Sequence, residues 1–383
     1  MQAAPDLTPS RLGLYSAVYN KHTTKIRAVY RPGESMMDFG IFIPCHRLDD
    51  SVSQKDTIAN ALEVAQLADE AGFSIAWFPE HHLVQYIACP SPLMLAVSAA
   101  ARTTRIRVGT AIMVIPYYNP LRLAGELGLA DILCEGRLEV GLGRGAFSYE
   151  FDRFGVDEEI AARQLREGME IVDGLLKNDD FEFRGTAMSF PPSTAVPKPV
   201  QRPHPPIWVA GRSLDTTRWS IQRGYNQLAT PWRDPFERVE RAYNQFKRII
   251  DEIRPAQRPK FGVSRMTYVG SDEDDALEAM RDVQIHHRIF MRLFTNRATV
   301  EHGFTQPDPV EDEYSLETLR ANLVAGSAAS CVEKLKMYEA LGVDHYVMYA
   351  GFLRDHAATM RSITRFAEHV MPHFVRAKEG ATV

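Results

Sequence analysis

Cysteine is scarce: four in 383 residues, at Cys45, Cys89, Cys134 and Cys331, with no CxxC pair and no metal-type spacing. That excludes a disulfide scaffold, and buried free thiols in a reducing compartment are expected. No apolar run reaches the roughly 18 residues of a membrane span. The first residues also lack the basic-then-apolar layout of a secretory signal, so a cytoplasmic protein without membrane contact is expected. Charge of one sign is lacking too. Lys and Arg number 44 against 49 Asp and Glu, a net charge of −5, which leaves no electrostatic footprint for nucleic acid. No GxGxxG follows the first strand-like run, where Pro44-Cys45-His46-Arg47-Leu48 stands instead. That argues against a doubly wound dinucleotide fold. The balance of 45% hydrophobic and 24% charged residues is that of an ordinary globular protein.

Residues 1–36 carry three prolines and scattered basic residues without periodicity, and Met36 and Met37 stand where an alternative start would fall. They are expected to form an irregular N-terminal extension. From Met37 a rhythm begins. Strand-like runs are expected at 38–43, 74–78, 106–115, 137–143, 206–210, 225–230, 261–269 and 343–349. Helical patterns lie between and after them at 58–71, 91–102, 120–135, 159–177, 214–223, 235–253, 328–341 and 354–370. A Pro-rich detour covers 191–206, and a long polar excursion covers 271–326, disordered-looking around 303–313 and placed as a lid over the seventh strand. Eight strands that each lead into a helix predict an α/β fold, a (β/α)8 TIM barrel with insertions, as one domain over residues 37–375.

In such a barrel the chemistry sits at the C-terminal strand ends. After strand 2 come Pro79-Glu80-His81-His82, and a histidine there suits proton transfer near neutral pH. The alternative is a histidine that only bonds a neighbouring strand. A metal site would need further ligands, and only His46, Asp344 and His345 stand near suitable positions; the His-x-His of metal-dependent barrels is missing, so no metal is expected. After strand 3, Pro116-Tyr-Tyr-Asn-Pro120 offers aromatic rings and the Asn119 amide, and the strand itself is small-residued at Gly109-Thr-Ala-Ile112. Strand 4 ends in Gly141-Leu-Gly-Arg-Gly145, whose Arg144 could fork onto an anionic oxygen. After strand 5, Ala210-Gly-Arg-Ser-Leu-Asp-Thr-Thr217 enters a helix. Its free N–H groups and hydroxyls suit phosphate, an ordinary N-cap being the alternative.

Together these pieces resemble the bacterial-luciferase-like family of flavin-dependent barrel monooxygenases. The matching residues are Met37-Asp-Phe-Gly-Ile-Phe, Ala71-Gly-Phe73 with Trp77-Phe-Pro-Glu-His-His82, Val108-Gly-Thr-Ala111, and Pro116 to Pro120. Further along come Asp131-Ile-Leu133 with Gly136-Arg-Leu138, Gly141 to Gly145 with Phe154-Gly155, Pro206 to Gly211, and the segment from Gly326 to Gly342. The resemblance implies reduced FMN or, in a sister branch, coenzyme F420, bound in the barrel mouth. It implies His81 as the catalytic histidine with Glu80 or His82 orienting it, and a non-proline cis peptide at Ala111–Ile112. It also implies a phosphate cradle of Arg144, Gly211, Arg212, Ser213 and Thr216 or Thr217. Asn119, also placed at the cofactor, stands where luciferases have a further histidine, which argues against bioluminescence. The implied activity is FMNH2-dependent monooxygenation with O2 of a small hydrophobic organic substrate, a separate reductase supplying the flavin. An F420-dependent dehydrogenase or reductase is the alternative; a flavin-sequestering protein and a metal-dependent hydrolase are weaker rivals. Apolar helix segments at 93–101 and 121–132 suggest a homodimer.

Overall fold

The apolar runs fold as parallel strands buried on both faces. A computed structural model describes residues 37–211, 213–311, 313–352 and 355–375; the expected extension over 1–36 and the cradle residue Arg212 lie outside these. Eight strands form the barrel: Asp38–Phe42, Ile75–Phe78, Arg107–Val114, Leu138–Gly143, Ile207–Val209, Asn226–Ala229, Phe261–Val269 and His345–Tyr349. Each pairs in parallel with the next, and the eighth pairs with the first, so the sheet closes. Closure leaves no open edge, and the helices between strands cover the outside. Their starts are set by side-chain caps such as Ser53, Ser91, Asp157 and Ser327, each of which accepts a backbone N–H of the first turn. Helix Gln54–Ala71 stops where Gly72 takes φ 97°, a left-handed conformation that glycine adopts without steric cost.

Two tryptophans close the interior below the mouth. Trp77 and Trp208 meet edge to face at 5.6 Å. Trp77 donates to His345 at 3.0 Å, and Trp208 donates to Glu139 at 2.6 Å. Neighbouring strands make room for these rings: a Cβ on Gly109 would lie 2.5 Å from Trp77, and one on Gly40 would lie 2.6 Å from His345. His345 therefore belongs to the packed floor. Asp344 pairs with Arg258 and accepts from the Phe261 N–H. Neither joins His46 in a metal site.

The segment 271–326 differs from expectation. Most of it is ordered secondary structure: helix Glu273–Phe294, a short hairpin of Val300–Glu301 with Phe304–Thr305, helix Leu316–Asn322 and strand Val324–Gly326, which pairs with strand 7. The long helix starts at Asp272, whose carboxylate caps Asp274 and Asp275, and buries Ala276, Ala279, Met280, Val283, His286, His287, Phe290 and Leu293. Its buried stripe has helical spacing, but two of its members are histidines, so the segment reads as polar. The Pro-rich detour begins within the second strand of a hairpin, Phe181–Arg184 against Ser189–Ser193, and contains cis prolines at Pro197 and Pro203. Among the described residues no helix is long and apolar enough to cross a membrane.

The floor makes one mutation decisive. Gly109→Ala forces a methyl group against a Trp77 ring that Trp208 and His345 hold in place. A loss of about 1–3 kcal/mol in unfolding free energy is expected, read as a lower denaturant midpoint.

Candidate active site

The loop after strand 2 carries two histidines, and two buried carboxylates hold them. Glu80 bonds the His82 Nε2 at 2.8 Å through one oxygen and accepts the Val114 N–H at 2.8 Å through the other. It thus ties the loop to the end of strand 3. Glu150 lies in the short helix Ser148–Phe154 that follows strand 4. One of its oxygens meets His81 Nδ1 at 3.0 Å and the His82 N–H at 2.8 Å. A carboxylate accepts, so Nδ1 of His81 donates; in the neutral ring the lone pair then sits at Nε2. Phe147 stacks on the His81 ring at 4.3 Å. The expected partners of His81, Glu80 and His82, instead bond each other, and the carboxylate on His81 is Glu150. Its place six residues after Arg144 was the available signal, and it becomes legible only once strand 4 is set beside strand 2's loop.

Strand 3 contains the cis peptide Ala111–Ile112, at the position the resemblance implied. Strand 4 approaches it closely: a Cβ on Gly141 would lie 2.0 Å from the Thr110 carbonyl oxygen, and one on Gly143 would lie 2.3 Å from Ile112. Arg144 follows, half-buried, with no hydrogen bond or ion pair to the described residues. The loop after strand 5 runs alongside, the Ala210 N–H reaching the Leu142 carbonyl at 3.3 Å. It opens helix Leu214–Gln222, where Ser213 caps the Thr216 N–H at 3.1 Å and its hydroxyl meets that of Thr216 at 2.9 Å. Thr217 is buried and donates to the Ser213 carbonyl. Of the two threonines, Thr216 is therefore the one at the helix mouth. Its methyl would lie 2.7 Å from a Cβ on Gly211. Asn119 caps helix Pro120–Leu133 through its side-chain oxygen, which commits that oxygen to Leu121 and Arg122.

These groups fit a flavin phosphate. A guanidinium without a protein partner at the end of strand 4 stands beside the strand 5 loop and the helix N-terminus it opens, and both favour a dianion. Among the described residues no group of three His, Cys, Asp or Glu side chains could hold a metal ion.

On the far side of His81 the mouth is lined by rings of which the sequence marked only His46, as a possible metal ligand. His46 Nε2 bonds the Tyr349 hydroxyl at 2.8 Å, and the His46 and His286 rings lie 4.1 Å apart. Burial, then the neighbouring His286, holds His46 well below the usual imidazole range. Burial first, with the Arg233 charge adding, pushes His286 and His287 down to about 4. These rings are neutral in the folded protein at pH 7, while the unfolded chain takes up protons near 6.5. Acid therefore favours unfolding: the stabilisation is whole above 6.5 and is lost as pH falls towards 4. The slope is about 1.4 kcal/mol per pH unit for a fully buried ring such as His286. His286→Gln keeps a donor for the Phe352 carbonyl it bonds. Urea unfolding of this variant across the window is expected to give a shallower pH dependence than wild type.

Comparison with known proteins agrees with this geometry. The family model for luciferase-like monooxygenases matches residues 37–345. The oxygenase component of the flavin-dependent trigonelline monooxygenase of Acinetobacter baylyi is 33% identical over 351 residues, spanning 89% of this chain and 97% of the relative. Monooxygenase RslO1 from Streptomyces bottropensis superposes with a TM-score of 0.77 at 24% identity, covering 88% of this chain and 100% of that one. The oxygenating constituent of 3,6-diketocamphane monooxygenase from Pseudomonas putida, in complex with FMN, does so with a TM-score of 0.72 at 19% identity, covering 89% and 99%. These superpositions establish the fold, which F420-dependent enzymes also share. With a family match over most of its length and a relative aligned nearly end to end, the chain belongs to the luciferase-like monooxygenase family.

Proposed function

We propose that the protein is the oxygenase component of a two-component system, using reduced FMN from a separate reductase and O2 to oxygenate a small, largely apolar organic substrate. The observation that carries this reading is the His81–Glu150 pair, because Glu150 lies on the same loop and helix that follow Arg144. One connection thereby links a proton-handling imidazole to the phosphate end of the cradle. Bound reduced flavin would supply the electrons for O2 activation. Arg144, Gly211, Ser213 and Thr216 would hold its phosphate, and the backbone at Ala111–Ile112 would lie against its flat ring. His81 would move a proton through Nε2, with Glu150 stabilising the charged ring it forms. Phe147 and the aromatic wall would keep water from that nitrogen.

His81→Ala is expected to bind FMN normally and to lose at least about 100-fold in product formation. Arg144→Ala is expected to weaken FMN binding by about 10- to 100-fold. The assay is oxygen-consuming turnover with photoreduced FMN over a panel of organic substrates, including trigonelline, the compound in that relative's name. Normal turnover in both variants would displace the site. Tight F420 binding with none for FMN would instead select the hydride-transfer alternative.

The same reading includes a homodimer. Leu129, Ile132 and Leu133 expose one apolar face of helix Pro120–Leu133, and Met94 is exposed on the adjacent helix Pro92–Ala100. Sedimentation is expected to give twice the chain mass for wild type, and the monomer for Leu129→Glu combined with Leu133→Glu.

A further inference from the structure

The far side of the mouth carries groups that flavin chemistry does not use. We propose that the substrate is an aromatic ring bearing an anionic oxygen group, a carboxylate in the simplest case, read by Trp232 and Arg233. This rests on the reading above that the barrel mouth is the active site.

Six rings form a closed circuit there. Phe147 meets Phe290 at 5.3 Å, Phe290 meets Trp232 at 5.1 Å, and Trp232 meets Tyr349 at 5.8 Å. Tyr349 continues to His46 at 5.9 Å, His46 to Tyr86 at 4.9 Å, and Tyr86 returns to Phe147 at 6.5 Å. Because Phe147 also stacks on His81, the circuit begins at the imidazole assigned to proton transfer. Edge-to-face and tilted contacts at these spacings make a continuous aromatic wall, a surface that suits a flat ring.

The polar groups beside it are specific. Trp232 Nε1 is a buried donor without a hydrogen-bond partner, although buried polar atoms almost always have one; the unmatched Nδ1 of His286 is an acceptor, because its Nε2 donates to the Phe352 carbonyl. With both imidazoles neutral, charge in this wall comes from Arg233, whose guanidinium lies 5.0 Å over the Phe290 ring. Its field reaches Tyr86, Tyr349, His286 and His287. The acids nearest His287 are Asp234 and Glu313, and Glu313 is gripped by Arg288 at 2.8–3.0 Å. A guanidinium has five donors and can serve an incoming oxyanion in addition to a protein acceptor.

The loop that presents Trp232 and Arg233 is fixed through its own backbone. Buried Arg265 donates to the carbonyls of Pro231 and Asp234, the Met266 N–H reaches the Trp232 carbonyl at 3.2 Å, and Asn322 reaches that of Arg233 at 3.4 Å. Four successive carbonyls are thus engaged. A platform held this way orients two side chains at little entropic cost on binding, as a specificity element requires.

The test titrates the full chain, with and without FMN, by calorimetry. The probes are benzoate and nicotinate against their neutral amides. The acids are expected to bind at least about tenfold more tightly than the amides. Arg233→Met should abolish that preference, and Arg233→Lys should restore part of it. Trp232→Phe keeps the ring and removes the N–H, and should weaken acid binding several-fold. Equal affinity for acids and amides, or no binding of either acid, would overturn the proposal, as would unchanged acid affinity in a folded Arg233→Met. If that variant does not fold, unchanged acid affinity in Trp232→Phe overturns it instead. FMN titrated in parallel separates the two readings: acids bound without FMN binding defeats the flavin assignment alone, and FMN bound with no preference for acids defeats this one alone.

Discussion

Glu80 and Glu150 are both buried, and a buried carboxylate is tolerated only where its lone pairs are met by donors. Between them they take donors from His81, His82 and the Val114 N–H. Those donors and the two acids come from the loops after strands 2, 3 and 4. The arrangement therefore cannot form until the barrel has set these three strand ends side by side, and once formed it fixes both histidine rings. Glu150 also selects the neutral tautomer of His81, because an acceptor at Nδ1 puts the lone pair of the uncharged ring at Nε2. Strand adjacency is thereby converted into the orientation of one ring.

The barrel separates the duties of floor and mouth. Below, Trp77, Trp208, His345 and Glu139 fill the interior with satisfied donors and acceptors, and glycines on adjoining strands make the space. Above, polar atoms stand unmatched: Arg144 at one end, and Trp232, His286 and His287 at the other. Unmatched polar atoms also occur elsewhere, Ser264 and Tyr225 among them, so those above are distinguished by lying at the mouth, where ligands enter a barrel.

Much of this was legible in the sequence. The eight strands were, because apolar runs ended by Gly or Pro are local signals. So was the Ser213 cap, weighed as the alternative to a phosphate site, since a hydroxyl opening a helix depends on few neighbours. The stripe of helix Glu273–Phe294 was hidden because His286 and His287 count as polar until burial is known. Glu150 was hidden because its meaning lies in a loop 69 residues away. The orienting role expected of Glu80 shows the same limit: adjacency in sequence suggested a pair, whereas loop geometry turned Glu80 towards His82 and strand 3. Trp232 and Arg233 carried no motif at all, and only the clamp from Arg265 marks their loop as more than a connection.

Charge in the mouth is sorted rather than mixed. The two carboxylates beside His81 are consumed by hydrogen bonds, so they present acceptors to the imidazoles and little open anionic surface to a ligand. The two guanidiniums lie apart, Arg144 after strand 4 and Arg233 after strand 6. Strand 5 and its helix N-terminus stand between those strands in the barrel order. A single anion would not need cations on two separated strand ends. Two anionic groups would, with flat surface between them: one at glycine-rich backbone and a helix end, the other inside a circuit of rings. On the proposed reading, the spacing of positive charge around the barrel would divide one opening into a cofactor end and a substrate end, with His81 between them because Phe147 joins its ring to the circuit while Glu150 joins it to the loop of Arg144.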